Sequence, residues 1–193
     1  MARPREFDRE EVLGKALEIF WTKGYEATSL NDLIGSMELS KSSFYQTFGS
    51  KNEVFLASIR HYIKTMTAQI ASLAQLELPA RSLISSLFNR AVIRITEEGG
   101  QRGCFLNNCA VEVALKDERA AKIINSGFEL MEETFFLLVQ RGQLEGEIEK
   151  TKNARALARY LNSSLNGLFV IAKANPNSTS LADVVCISLT ALD

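Results

Sequence analysis

The stretch Thr28 to Lys51, TSLNDLIGSMELSKSSFYQTFGSK, constrains the fold more than any other part of this chain. Its spacing predicts two short helices joined by a tight turn, with a third helix beginning directly after them. Ser29 has Asp32 three residues on, and Ser40 opens a second short helical pattern after Met37-Glu38-Leu39. Each serine can accept a hydrogen bond from the orphan N–H groups of a first helical turn. In the second helix Phe44 and Phe48 stand four apart on one face, while Lys41, Ser42, Ser43, Tyr45 and Gln46 spread over the rest. The aromatic pair anchors and the polar set faces outward. Ser50 and Glu53 then have capping-box spacing at the start of a longer helix, which places Lys51 and a helix N-terminus where a phosphate would be met. A short helix with small polar side chains between backbone clamps is what reading a DNA groove requires.

Those residues carry a resemblance. Ser40-Lys41-Ser42-Ser43-Phe44-Tyr45-Gln46-Thr47-Phe48-Gly49-Ser50-Lys51 resembles the Ser-Lys-Gly-x-Phe-Tyr-x-x-Phe-x-x-Lys signature of TetR-type transcriptional regulators. The match extends upstream through Ala16, Phe20, Gly24, Tyr25, Thr28 and Leu33, so it covers roughly the first 60 residues; the remainder is similar in layout alone. The resemblance implies that Lys41, Ser42, Ser43 and Gln46 lie near base edges and that Thr28, Tyr45 and Lys51 clamp phosphates. Ser42 and Glu38 depart from the pattern, standing where glycine is usual. A left-handed Glu38 would cost on the order of 1 kcal/mol. Its carboxylate, beside the DNA-facing turn, would either weaken nonspecific phosphate attraction or discriminate among sequences.

With 46% apolar and 23% charged residues, the 193-residue chain can bury a substantial core, and its length fits a small module and a larger one. The expected division is a helix-turn-helix DNA-binding domain over 1–50 and a helical ligand-binding and dimerisation domain over 51–193. No run of 18 apolar residues occurs and the N-terminus lacks an apolar signal core, so a cytoplasmic protein without membrane contact is expected. Three cysteines without Cys-x-x-Cys spacing argue against a disulfide framework and a zinc site, and His61 is the sole histidine. No metal, no cofactor and no catalytic residue is expected. An enzyme is disfavoured further by the lack of a base for a nucleophile and of any phosphate or dinucleotide loop.

A net charge of −1 sits awkwardly with DNA binding, and the first 60 residues hold eight Lys or Arg against nine Asp or Glu. Residues 39 to 52, however, carry Lys41 and Lys51 as their sole charges. Local charge, not the total, meets the DNA. Arg3 and Arg5 form either an arm that reaches phosphates or a frayed terminus.

Periodicity predicts an all-α protein of about nine helices in two domains. Asp8 starts the first, which Gly24 ends; Lys51 to about Gln75 reads as one long helix, and Pro79 opens another to about Glu98, before a break at Gly99, Gly100 and Gly103. Cys104–Leu115, Asp117–Leu144, Asn153–Ala174 and Ser180–Leu192 read as four more. The last two carry broad apolar faces that either pair with a second copy or close the monomer's own core. The resemblance implies a four-helix dimer bundle there and a palindromic double-stranded operator. Phe105, Phe128, Met131 and Phe135, with the Asn108 amide, are candidates to line a pocket for a small apolar inducer; ordinary core packing is the competing reading. Cys104 follows a Gly-rich break near Arg102, so it reads either as a sensor thiol for electrophiles or oxidants, as in some TetR-type regulators, or as a buried filler. A helical module without a ligand, serving as a protein-docking surface, and an activator rather than a repressor are the remaining alternatives.

Overall fold

The computed structural model describes residues 7–97 and 100–193, in which nine α-helices and one short 3-10 turn are the regular elements. The arm at Arg3 and Arg5 and the break at Gly99 lie outside the described residues. The helices are α1 Arg9–Lys23, α2 Leu30–Met37, α3 Lys41–Phe48, α4 Lys51–Ala74, α5 Ala80–Thr96, α6 Phe105–Val113, α7 Glu118–Glu145, α8 Ala154–Ala174 and α9 Ser178–Thr190, with the 3-10 turn at Gly100–Arg102. Among the described residues no helix is long and apolar enough to cross a membrane.

The chain forms two compact units. One runs through Met66 and includes Asn108–Ile124; the other comprises Thr67–Asn107 and Asn125–Asp193.

Local capping explains most boundaries. Asp8 accepts the Glu10 N–H at 2.8 Å to start α1. Ser29 and Asp32 form a reciprocal capping box on α2, and Ser40 accepts the Ser43 N–H at 3.1 Å on α3. Ser50 accepts the Glu53 N–H at 3.2 Å at the start of α4, but the Glu53 carboxylate grips the Arg119 guanidinium through two bonds, at 2.7 and 3.1 Å. A bidentate charged pair outcompetes the return bond of a capping box. Asp117 accepts from Arg119 and Ala120 and so caps α7, while α6 stops at Val113 instead of running to Leu115. Cys104 precedes α6, which begins at Phe105. Asn177 caps α9 through the Ser180 N–H, which starts that helix at Ser178, two residues before the periodic pattern. Pro79 offers α5 no side-chain cap; Glu147 accepts the Ala80 and Arg81 N–H groups instead, at 3.2 and 2.9 Å.

In the first unit α1, α2, α3 and α4 each bury large apolar side chains, among them Phe20, Leu33, Phe44, Phe48 and Phe55. The Phe20 and Phe55 rings meet edge to face with centroids 5.1 Å apart. In the second unit, Phe88, Phe135, Leu161, Leu165, Leu181 and Val185 belong to one continuous core drawn from α5, α7, α8 and α9.

Candidate nucleic-acid interface

The helix-turn-helix is built around one unusual backbone position. Glu38 closes α2 in the left-handed region, with φ 56° and ψ 33°, and is the one non-glycine residue of positive φ among the described residues. Its N–H bonds the Gly35 carbonyl and the Leu39 N–H bonds the Ile34 carbonyl, which satisfies the end of the helix and turns the chain into α3. The carboxylate reaches Lys15 of α1 at 3.1 Å, and Lys15 also holds Glu11 at 3.3 Å. These contacts, that to Glu38 foremost, push the Lys15 ammonium pKa up.

Phe44 and Phe48 are buried, so the opposite side of α3 is turned outward. Lys41, Ser42, Tyr45 and Gln46 are exposed, and Ser43 is half-buried with its hydroxyl against that of Ser40 at 2.8 Å. Tyr45 stacks edge-on against Phe44 at 5.7 Å, which stiffens its ring while the phenol remains exposed. Lys51, the first residue of α4, is half-buried; its ammonium lies 4.4 Å above the Tyr25 ring and 3.5 Å from the Glu26 carbonyl oxygen. Thr28 is placed differently: it is fully buried, and its hydroxyl donates to the Gly24 carbonyl at 2.5 Å.

The acidic residues around this surface are engaged by cations. Asp32 takes Lys23 at 2.7 Å along with the Ser29 N–H and hydroxyl, and Lys23, followed by Ser29, holds its carboxyl well below the usual carboxylate range. Glu10 pairs with Lys64, Glu26 with Lys116 at 3.3 Å, and Glu53 with Arg119. The near-zero total charge of this segment therefore hides an uneven distribution, with Lys41 exposed on α3, Lys51 at the start of α4, and Asp32, Glu10, Glu26 and Glu53 paired with cations.

Glu112, on α6 and within the same unit, was not legible as part of this site. Its carboxylate accepts the backbone N–H groups of Tyr25 and Glu26 at 2.9 and 2.8 Å. Gly24, with φ 84°, packs so closely that a Cβ there would lie 3.0 Å from that carboxylate.

Of the inducer candidates, Cys104, Phe105 and Phe135 are buried, and Phe128, Met131 and Asn108 are half-buried. Asn108 falls in the first unit and the other five in the second. Phe135 faces Phe88 with centroids 5.9 Å apart, and Met131 packs on the same core. Ile70, Leu73, Leu83, Leu87, Thr134 and Leu138 line an apolar cavity of about 30 Å³ in the second unit, room for a water-sized group. Cys104 and Cys109 are buried and Cys186 is exposed, with none of the three in a disulfide.

Comparison with known proteins agrees with this geometry. The family model for bacterial regulatory proteins of the tetR family matches residues 12–58, and that for a tetracyclin repressor-like C-terminal domain matches residues 81–187. The chain is 32% identical to the HTH-type transcriptional regulator YezE of Bacillus subtilis (strain 168) over the full length of both. It is 28% identical to the HTH-type transcriptional repressor ComR of Escherichia coli (strain K12), covering 97% of this chain and 90% of that one. A cysteine mutant of the TetR family regulator CifR, solved with 26 bp double-strand operator DNA, superposes with a TM-score of 0.88 at 29% identity, covering 99% of this chain and 100% of that one. Matched at both ends by family models and along its whole length by a relative, the chain belongs to the TetR family of bacterial DNA-binding transcriptional regulators.

Proposed function

We propose that the protein is a cytoplasmic, homodimeric repressor that binds a palindromic operator in double-stranded DNA and is released by a small apolar or thiol-reactive inducer. The observation that carries this reading is the outward face of α3, where Lys41, Ser42, Tyr45 and Gln46 project from a helix anchored by Phe44 and Phe48. Support comes from the resemblance to CifR, solved on operator DNA, and from relatives named as repressors, among them ComR and BdcR of Escherichia coli (strain K12).

Lys41, Ser42, Ser43 and Gln46 would meet base edges in a major groove, and Tyr45 and Lys51 would grip the flanking phosphates. Thr28 is assigned a positioning role, because its hydroxyl is committed to Gly24. The dimer reading is supported by the exposed Tyr160 and Ile171 of α8 and Val184 and Ile187 of α9, apolar side chains on the two helices whose other faces fill the core. A two-fold axis through that face would give two copies of α3 matching half-sites about one helical turn apart. Phe105, Phe128, Met131 and Phe135 would contribute to the inducer site, with Cys104 the residue an electrophile would modify. An inducer that favours the DNA-incompetent arrangement lowers operator affinity by the same factor by which DNA lowers its own affinity. No catalytic turnover is asked of the chain.

The test is selection of random duplex DNA by the purified protein, repeated after a mild thiol oxidant or electrophile. An enriched palindrome is expected. Treatment that abolishes enrichment, with recovery in Cys104→Ser, would assign the signal to that thiol; enrichment that survives treatment would direct the search to a noncovalent ligand. No enriched sequence would overturn the operator-binding reading.

A further inference from the structure

Lys51 owes its position to two residues, Tyr25 and Glu26. The ring of Tyr25 supports the ammonium at 4.4 Å and the Glu26 carbonyl receives it at 3.5 Å. The N–H groups of those same two residues are the ones that Glu112 holds, from a point 87 residues along the chain from Tyr25. Gly24 leaves just enough room for the carboxylate, since a Cβ would approach its two oxygens to 3.0 and 3.1 Å. One carboxylate thus fixes both halves of the seat on which the lysine rests.

We propose that Glu112 is a positioning residue for DNA binding, which holds the Tyr25-Glu26 peptide so that Lys51 meets a phosphate. The proposal rests on the reading of Lys51 as a phosphate clamp. Charge and geometry make opposite predictions here. Glu112 is itself an anion in the DNA-binding unit, so by charge alone its removal would strengthen DNA binding. As a positioning group its removal weakens binding, because two backbone donors lose their common acceptor and the seat of Lys51 loosens.

The experiment measures the affinity of the full-length protein for two duplexes, one enriched by the wild type from a random pool and one of mixed sequence. Binding of wild type, E112Q, E112D, K51A and the K51A/E112Q double variant is followed by fluorescence anisotropy from about 50 to about 200 mM salt. Thermal melts confirm that each variant is folded. E112Q is expected to bind both duplexes roughly three- to tenfold more weakly, with a salt slope reduced by about one. E112D, which keeps the charge and loses the reach, should weaken likewise. The double variant should bind no more weakly than K51A, since both changes remove the same contact. E112Q binding as tightly as wild type or tighter, E112D matching wild type, or effects that add in the double variant would each overturn the proposal. K51A indistinguishable from wild type would instead remove the phosphate role of Lys51, and the proposal with it.

Discussion

The Glu38 carboxylate lies 3.1 Å from the Lys15 ammonium, so the strained turn of the helix-turn-helix is tied to α1 by an ion pair between exposed and half-buried side chains. Two opposing effects meet at this residue. Left-handed φ costs a side-chain-bearing residue about 1 kcal/mol relative to glycine, whereas a solvent-exposed pair returns about 0 to 1 kcal/mol.

Glu38→Gly should therefore leave the protein as stable as wild type or slightly more so, and Glu38→Ala, which keeps the strain and loses the pair, should be slightly less stable. Urea unfolding that places the glycine variant about 1 kcal/mol above the alanine variant is the expected result. Equal stabilities would mean that the turn relaxes around alanine.

Tyr45 and Gln46 are neighbours on the exposed side of α3, but their expected roles separate. Tyr45→Ala should weaken binding to every duplex by a similar factor, while Gln46→Ala should change the ranking among sequences by about 1 to 3 kcal/mol at one position. Selection from a random pool with each variant reads the difference directly. An unchanged ranking from both would remove Gln46 from the base-reading set.

Acid should loosen the start of α2 through Asp32. Its folded pKa is depressed, chiefly by Lys23 and then by Ser29, so its contribution to stability is present above the unfolded value of about 4 and is lost as pH falls below it. Asp32→Asn should lower stability at pH 7 and flatten the decline between about pH 4 and pH 2. Urea midpoints across that range test it, and parallel curves for the two proteins would refute it.

Ile187 is 64% exposed on α9, so a charge there should leave the protomer fold almost untouched. Ile187→Lys is expected to shift the mass in light scattering from that of a dimer to that of one 21.4 kDa chain, with an unchanged helical signal. A dimer that survives this substitution and Val184→Lys would place the interface elsewhere.

The helices and the reading head were legible because what specifies them is local. Ser29 with Asp32, Ser40 with the Ser43 N–H, and Phe44 with Phe48 act across three or four residues, within one or two helical turns. The left-handed Glu38 was legible too, as a residue standing where the turn favours glycine. At the start of α4 the expectation shifted because of a side chain from farther away. Glu53 spends its carboxylate on Arg119, 66 residues on, instead of returning it to its own helix start. The position of Lys51 at the start of α4 was legible but the seat of its ammonium was not, because nothing in the spacing of Tyr25 or Glu26 points to Glu112.

By itself, then, the sequence determined the helix order, the polar face of α3 and the family to which these belong, since periodicity and capping are properties of neighbours along the chain. Tertiary structure alone decided that Lys15, Lys23 and Lys116 answer the acids of the DNA-reading unit, and that Glu112 carries the Tyr25-Glu26 peptide. Those pairings form between groups that meet once the helices pack, and hydrogen bonds and ion pairs of a few ångströms leave no mark on sequence spacing.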